Sequence, residues 1–450
     1  MKRYKNSLYI LAMCGSMVAC KPKIDEPAVD KGSLDVTKYV AVGNSITSGY
    51  ADNALYYDGQ QVSYANLISQ QFAKIGGGEF KQPLVSPTSV GVGSTGGARL
   101  VLAPKTDCLG ETSLSPVPAA ASGDLSIFAS NIFASQGPFN NMGVPGAKSI
   151  TTIYPGYGNP GNGLGKFNPY FTRMASNPGT ASMLGDAMAQ KPTFFTLFIG
   201  SNDVLLYALA GATAADSITP VAGPAGVGFD ASMDAIVSTL TSAGAKGAIA
   251  NIPDITSLPY FTTVPYNGLA LTSQAQVDGL NMAYTPLGIT FHLGQNGFII
   301  QDNAAPGHVR QIKSNEYVLL SVPQDSLKCG QWGSVKPIPD QYVLTASEVA
   351  QIQTAIVNYN SKIKSLATTY GLAFVDANSF LSQVERGIAY NGIDLNTEFV
   401  TGGAFSLDGV HLTPIGNALL ANEFIKSINA TYHSTLPLVD ATKYSGVKFP

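Results

Sequence analysis

The strongest constraint in this 450-residue chain is the run Thr193-Phe194-Phe195-Thr196-Leu197-Phe198-Ile199, which stops at Gly200-Ser201-Asn202-Asp203. Its apolar character is nearly continuous rather than alternating, so a strand here must be covered on both faces. Such strands belong to parallel sheets flanked by helices. Lys38-Tyr39-Val40-Ala41-Val42 is a second short β-rich run, ending in the turn-forming Gly43-Asn44-Ser45. Residues 247–252 (GAIANI) and 372–375 (LAFV) supply two more, and helical patterns separate them. One helix is expected over residues 233–243. In the longest, Val349, Ile352, Ile356, Tyr359, Ile363 and Leu366 recur every three or four positions, and Ser347 can cap it. Thr413-Pro414 opens the last helix, a cap followed by proline at the first helical position, which should run to about Tyr432.

Strands alternating with helices predict an α/β fold, a three-layer α/β/α sandwich around a central parallel sheet. Two stretches, about 52–140 and 253–345, are rich in Gly, Pro, Ser and aromatics and lack sustained periodicity. They read as large insertions in a single domain spanning residues 38–450. Only 12% of residues are charged, with Lys+Arg 26 against Asp+Glu 29 and no basic run. That excludes nucleic acid as a partner, because phosphate neutralisation needs a basic footprint.

Residues 1–19 read as a signal peptide: Lys2, Arg3 and Lys5 precede an apolar stretch from Leu8 to Val18, shorter than the roughly twenty residues that span a bilayer. Met17-Val18-Ala19-Cys20 resembles the lipobox of bacterial lipoproteins, where cleavage leaves the cysteine first and acylated. Cys20 is then a membrane anchor and residues 20–37 a flexible tether. The alternative is an ordinary secretory signal cut elsewhere. The expected location is the bacterial cell envelope, lipid-anchored at the outer membrane, with the periplasmic or surface face left open. Exported chains favour disulfides, so Cys108 and Cys329 are expected to pair, two buried free thiols being the alternative.

Other strings carry no chemistry. Gly91-Val92-Gly93-Ser94-Thr95-Gly96 has the spacing of a dinucleotide loop, but Pro87 and Pro104 flank it and it reads as a flexible loop. Ser361 and Lys364 share the spacing of a penicillin-binding motif but lie within the long amphipathic helix. His292, His308 and His433 are scattered without metal-ligand spacing, so no metal site is expected.

In open α/β sheets, ligands bind outside the carboxyl ends of the strands. Gly43-Asn44-Ser45-Ile46, at one such end, resembles the GDSL block of the SGNH hydrolases. Asn141-Met142-Gly143-Val144-Pro145-Gly146-Ala147 resembles their second block, Gly200-Ser201-Asn202-Asp203 their third, and Ser406-Leu407-Asp408-Gly409-Val410-His411-Leu412 their last. The blocks occur in the family's order, and the resemblance runs from about 38 to 432, thinly across both insertions. It implies a flavodoxin-like SGNH fold and a serine ester hydrolase, an esterase or lipase that needs no cofactor. Ser45 would be the nucleophile, His411 its base and Asp408 the carboxylate that orients the base. The Ser45 and Gly146 amides and the Asn202 side chain would form the oxyanion hole. Asn44 and Ile46 depart from the family's Asp and Leu; the first keeps hydrogen bonding but loses charge. The expected partners are a small-molecule, lipid or glycan ester substrate and, through Cys20, the membrane; a monomer is expected. The competing function is a catalytically silent glycan- or lipid-binding lipoprotein on the same fold. Phe261, Tyr266, Phe291 and Phe298 are expected to line an acyl or sugar pocket above Ser45.

Overall fold

Continuously apolar strands find cover on both faces of one sheet in the computed structural model, which describes residues 29–213 and 217–450. Its strands are β1 (Tyr39–Gly43), β2 (Asn141–Gly143), β3 (Phe194–Phe198), β4 (Lys246–Ala250) and β5 (Ala373–Val375). They lie in the order β5-β4-β3-β1-β2, every pair parallel. The winding reverses between β1 and β3, the place where doubly wound sheets open a crevice at their carboxyl ends. Gly43 lies opposite both Gly143 and Phe198, so the ends of β1, β2 and β3 are level.

The helices that matter are α1 (Ser45–Ser48), α2 (Tyr64–Phe72), α3 (Asn202–Leu209), α4 (Phe229–Thr241), α5 (Ala346–Tyr370) and α6 (Pro414–Tyr432). Side chains alternate across the sheet. Val40, Val42, Phe195 and Leu197 pack with α3, α4 and α5, while Ala41, Phe194 and Phe198 pack with α2 and α6. Phe229 stacks on Tyr359 at 3.9 Å on the first face, and Tyr64 on Phe424 at 4.8 Å on the second. Each fully buried Phe or Leu contributes about 1.5–3 kcal/mol, so the two faces together hold the sheet rigid under the site.

Two expectations need correction. The cap of α5 is Thr345 rather than Ser347, because Glu348 reaches back to the Thr345 amide at 2.7 Å, the reciprocal half of a capping box. The stretch 52–140 is not all insertion. Ser63 caps α2 through the Asn66 amide, and Leu67, Ile68 and Phe72 bury a stripe against α6, so α2 belongs to the core layer. The insertion proper follows it, with an antiparallel ribbon pairing Leu100–Thr106 with Thr112–Pro118. The second insertion carries two small apolar clusters of its own, around Phe291 and around Phe298. Buried Glu316 fastens it to α5, accepting from Arg310 at 2.6 and 2.8 Å and from the Ala346 amide at 3.1 Å.

A disulfide joins Cys108, at the tip of the ribbon, to Cys329 in the second insertion, 221 residues later. The Lys328–Asp107 ion pair at 2.8 Å lies beside it, but a solvent-exposed pair adds little. The covalent bond dominates: the chain-entropy model gives roughly 5 kcal/mol for a loop of this length, an upper figure that denatured-state structure reduces. Reduction should therefore lower the thermal midpoint by several degrees in calorimetry, and an unchanged midpoint would show that the insertions hold each other without it. The expected signal peptide, Cys20 and the tether up to residue 28 lie outside the described residues. The rest of the expected tether is not flexible: Leu34 and Val36 are buried among the side chains of α2 and α6, and the Ser33 amide donates to the Tyr432 carbonyl at 3.0 Å. Among the described residues, no helix is long and apolar enough to cross a membrane.

Candidate active site

Because β1, β2 and β3 end level, the segments leaving them converge. Ser45 follows β1 by two residues, Gly146 follows β2 by three and Asn202 follows β3 by four. Ser45 opens α1 and is buried at 8% exposure. Asn44 caps that helix, its side-chain oxygen accepting from the Ile46 amide at 3.1 Å. The charge missing relative to aspartate is not needed for this bond, which accounts for the tolerance of asparagine here.

The loop before α6 brings the other two groups. The backbone of Ser406 pairs with that of His411 at 2.8 Å, closing the loop, and Thr413 caps α6 through the Gly416 amide. Within it, His411 Nε2 lies 2.8 Å from Ser45 Oγ, and His411 Nδ1 lies 2.9 Å from Asp408 Oδ2. The Tyr50 ring packs against the imidazole at 4.8 Å between centroids. Asp408 is saturated with donors. Its Oδ1 accepts from the Val410 and His411 amides at 2.9 and 2.8 Å and from Ser406 Oγ at 3.1 Å, and its Oδ2 accepts from the Asn53 amide at 2.8 Å. Burial alone would raise its pKa, but the adjacent His411 and these amides hold it well below the usual carboxylate range.

Gly146 has φ +81°, a conformation in which a side chain would be strained. Its amide makes no hydrogen bond among the described residues, and the Ser45 amide, at the first position of α1, is likewise left unpaired. Asn202 donates through Nδ2 to the Ala147 carbonyl at 3.0 Å, which uses one of its two amide hydrogens and places it against the Gly146 turn. The Ser45 and Gly146 amides and one Asn202 amide hydrogen are thus left without a partner among the described residues, on segments that leave the level ends of β1, β2 and β3. Asp203 braces this arrangement from below, accepting from the Ser149 amide at 2.8 Å and from Ser149 Oγ at 2.6 Å. Burial pushes the Asp203 carboxyl up while the Ser149 bonds pull it back.

Sequence reasoning missed the Asp52-Asn53 turn. Both residues have positive φ, 50° and 61°, and the turn supplies the Asn53 amide to Asp408 while the Asp52 carboxylate accepts from the Leu407 amide at 3.0 Å. It also misplaced the pocket. Phe261 and Phe291 are buried in the core and in a satellite cluster, and Tyr266 is exposed. Only Phe298 of the four reaches the large groove, about 1840 Å³, that lies between the ribbon and the second insertion. This groove meets the triad at Leu407, Asp408 and Asn53 rather than above Ser45.

Among solved structures, the chain is similar to the lipase/acylhydrolase from Enterococcus faecalis at 12% identity, covering 89% of this chain and 98% of that one, with a TM-score of 0.32. It is similar also to LAE5, an alpha/beta hydrolase enzyme from the metagenome of Lake Arreo, Spain, at 11% identity, 88% and 97% coverage and a TM-score of 0.34. No curated protein matches it. The family model for GDSL-like lipase/acylhydrolase matches residues 39–424, a span that opens within β1 and closes within α6 and so takes in every residue placed around Ser45. This chain belongs to the GDSL-like lipase/acylhydrolase family of hydrolases.

Proposed function

We propose that the protein is a serine ester hydrolase cleaving carboxylic acyl esters through an acyl-enzyme on Ser45. The observation that carries this reading is the continuous relay from Ser45 Oγ through His411 to Asp408, at 2.8 and 2.9 Å. His411 takes the serine proton as Oγ attacks the ester carbon, Asp408 stabilises the imidazolium, and the negative oxygen of the tetrahedral species meets the Ser45, Gly146 and Asn202 donors. Collapse breaks the ester C–O bond, and the alcohol leaves with the proton held at Nε2. Water then gives its proton to His411 and attacks the acyl-enzyme, releasing the acid and restoring Ser45. Hydrolysis of p-nitrophenyl acetate by the full chain, compared with Ser45→Ala, tests the reading; a signal independent of Ser45 would remove it.

Asn202→Ala should lower kcat by roughly 10² to 10³ with KM little changed, because a donor aimed at developing charge acts in the transition state. Steady-state kinetics on the same ester measure this, and a pure KM effect would assign Asn202 to substrate binding. Delivery to the envelope by a lipid on Cys20 belongs to the same proposal. Cys20→Ala should move the protein out of the membrane fraction, and retention there with unchanged detergent behaviour would refute it.

A further inference from the structure

The first described residues fasten to the edge of the sheet that faces away from Ser45. The Asp30 amide donates to Thr435 Oγ1 at 2.7 Å, and the Thr435 amide donates back to the Asp30 carbonyl at 2.8 Å, just past the end of α6. The Ser33 carbonyl accepts from Nζ of Lys246, the first residue of β4. Thr193, just ahead of β3, donates its amide to the Lys38 carbonyl at 2.9 Å. The chain therefore enters at the amino ends of β1, β3 and β4, whereas Ser45, Gly146 and Asn202 follow carboxyl ends. The five residues of β1, a length of about 17 Å, separate the two edges.

Lysines gather on this entry edge. Lys38 and Lys246 stand at the starts of β1 and β4, Lys191 precedes β3, Lys74 follows α2, Lys81 lies beside the start of β2 and Lys31 belongs to the entering segment. Lys31, Lys74 and Lys191 are exposed and the other three half-buried. Asp30, Asp35 and Glu79 are the acids among them, so the edge is basic in a chain whose acids outnumber its bases, 29 to 26. An anionic bilayer surface attracts such an edge. Chain length then limits how the molecule can turn. Nine residues separate Val29 from Cys20, a reach of about 32 Å at full extension. A domain of this length packs into a body about 50 to 60 Å across, so the entry edge stays near the bilayer and the far side cannot be brought down onto it. Resting on the lipid anchor at Cys20 proposed above, we infer that the lysine-bearing edge at the amino ends of the strands lies on an anionic phospholipid surface, with the catalytic crevice facing outward. The site then takes its ester from the aqueous side, and the lipids of its own bilayer are out of reach.

The chain's single tryptophan reports on the outer side, because Trp332 lines the groove between the insertions. Ala243, exposed between α4 and β4, marks the entry edge, and Ala243→Trp combined with Trp332→Phe moves the reporter there. The test places the lipidated full chain in vesicles of phosphatidylcholine and phosphatidylglycerol in which some headgroups carry a nitroxide quencher. Tryptophan at position 243 should be quenched at least threefold more than Trp332, and less when phosphatidylglycerol is left out. If Trp332→Phe folds poorly, Ala243→Trp alone gives the same reading as the added, quenched intensity. Equal quenching at the two positions, in protein that floats with the vesicles, would overturn the orientation and leave the anchor standing. Quenching at position 243 that is the same on neutral and anionic vesicles would overturn the lysine edge as the contact. Full chain that does not float with the vesicles would overturn the anchor itself, and this inference with it.

Discussion

Replacing Ser45 by alanine should reduce ester turnover by about four to six orders of magnitude, leaving only what the oxyanion donors achieve with water. The fold should survive. The structural work of residue 45 is done by its backbone, whose carbonyl accepts from Ser48 Oγ at 2.8 Å and from the Tyr50 amide at 3.0 Å. Among the described residues the side chain's one partner is His411 Nε2, so the substitution removes one small hydroxyl and leaves an imidazole that retains Asp408. Circular dichroism and thermal unfolding should match the parent, while the burst of released alcohol in single-turnover kinetics should vanish. A variant retaining full activity would end the acyl-enzyme mechanism.

Asp408→Asn should cost about 10⁴ in kcat, and for a reason specific to this site. Both oxygens of Asp408 face donors alone: three on Oδ1, and the Asn53 amide with His411 Nδ1 on Oδ2. An asparagine must turn its NH₂ toward one set. If it keeps the Oδ1 set, its NH₂ meets His411 Nδ1 and imposes the tautomer protonated at Nε2, which cannot take the serine proton. Stability should drop as well, since the Asn53 amide then opposes another donor. Because the folded-state pKa of Asp408 is depressed, its contribution to stability is full above the ordinary carboxylate value near 3.9 and is lost progressively as pH falls below it. The variant should show a shallower acid-unfolding profile than the parent in that range, and identical profiles would show that the carboxylate's bonds do not stabilise the fold.

The core strands were readable because strands buried on both faces must be apolar without interruption, and α6 because Thr413-Pro414 combines two start signals. Strand β2 was not readable as a strand. Asn141-Met142-Gly143 is three residues long, and the Asn141 side chain is occupied with the Thr47 carbonyl at 2.9 Å rather than following any apolar pattern. Helix α2 was masked by the Gly- and Pro-rich segments around it, although Ser63 and the Tyr64, Leu67, Ile68, Phe72 spacing signalled it. The groups placed at Ser45 were found through short blocks whose spacing survives in the chain. The Asp52-Asn53 turn could not be found that way. Its role depends on positive φ at two residues that are not glycine and on an amide meeting a carboxylate 355 positions away. No local pattern encodes either.

The bridge from Cys108 to Cys329 closes a covalent ring that contains β2, β3 and β4, and with them Gly146 and Asn202. Ser45 lies on the tail that enters this ring, and Asp408 and His411 on the tail that leaves it. Ser45, the Asp408–His411 pair and the Gly146–Asn202 pair therefore belong to three topological parts of one molecule. A protease cutting once anywhere between residues 108 and 329 cannot separate them while the bond is intact. Nicked protein would run as a single species without reductant and fall into two fragments with it, so the staple keeps the assembled site in one covalent piece after a single cut.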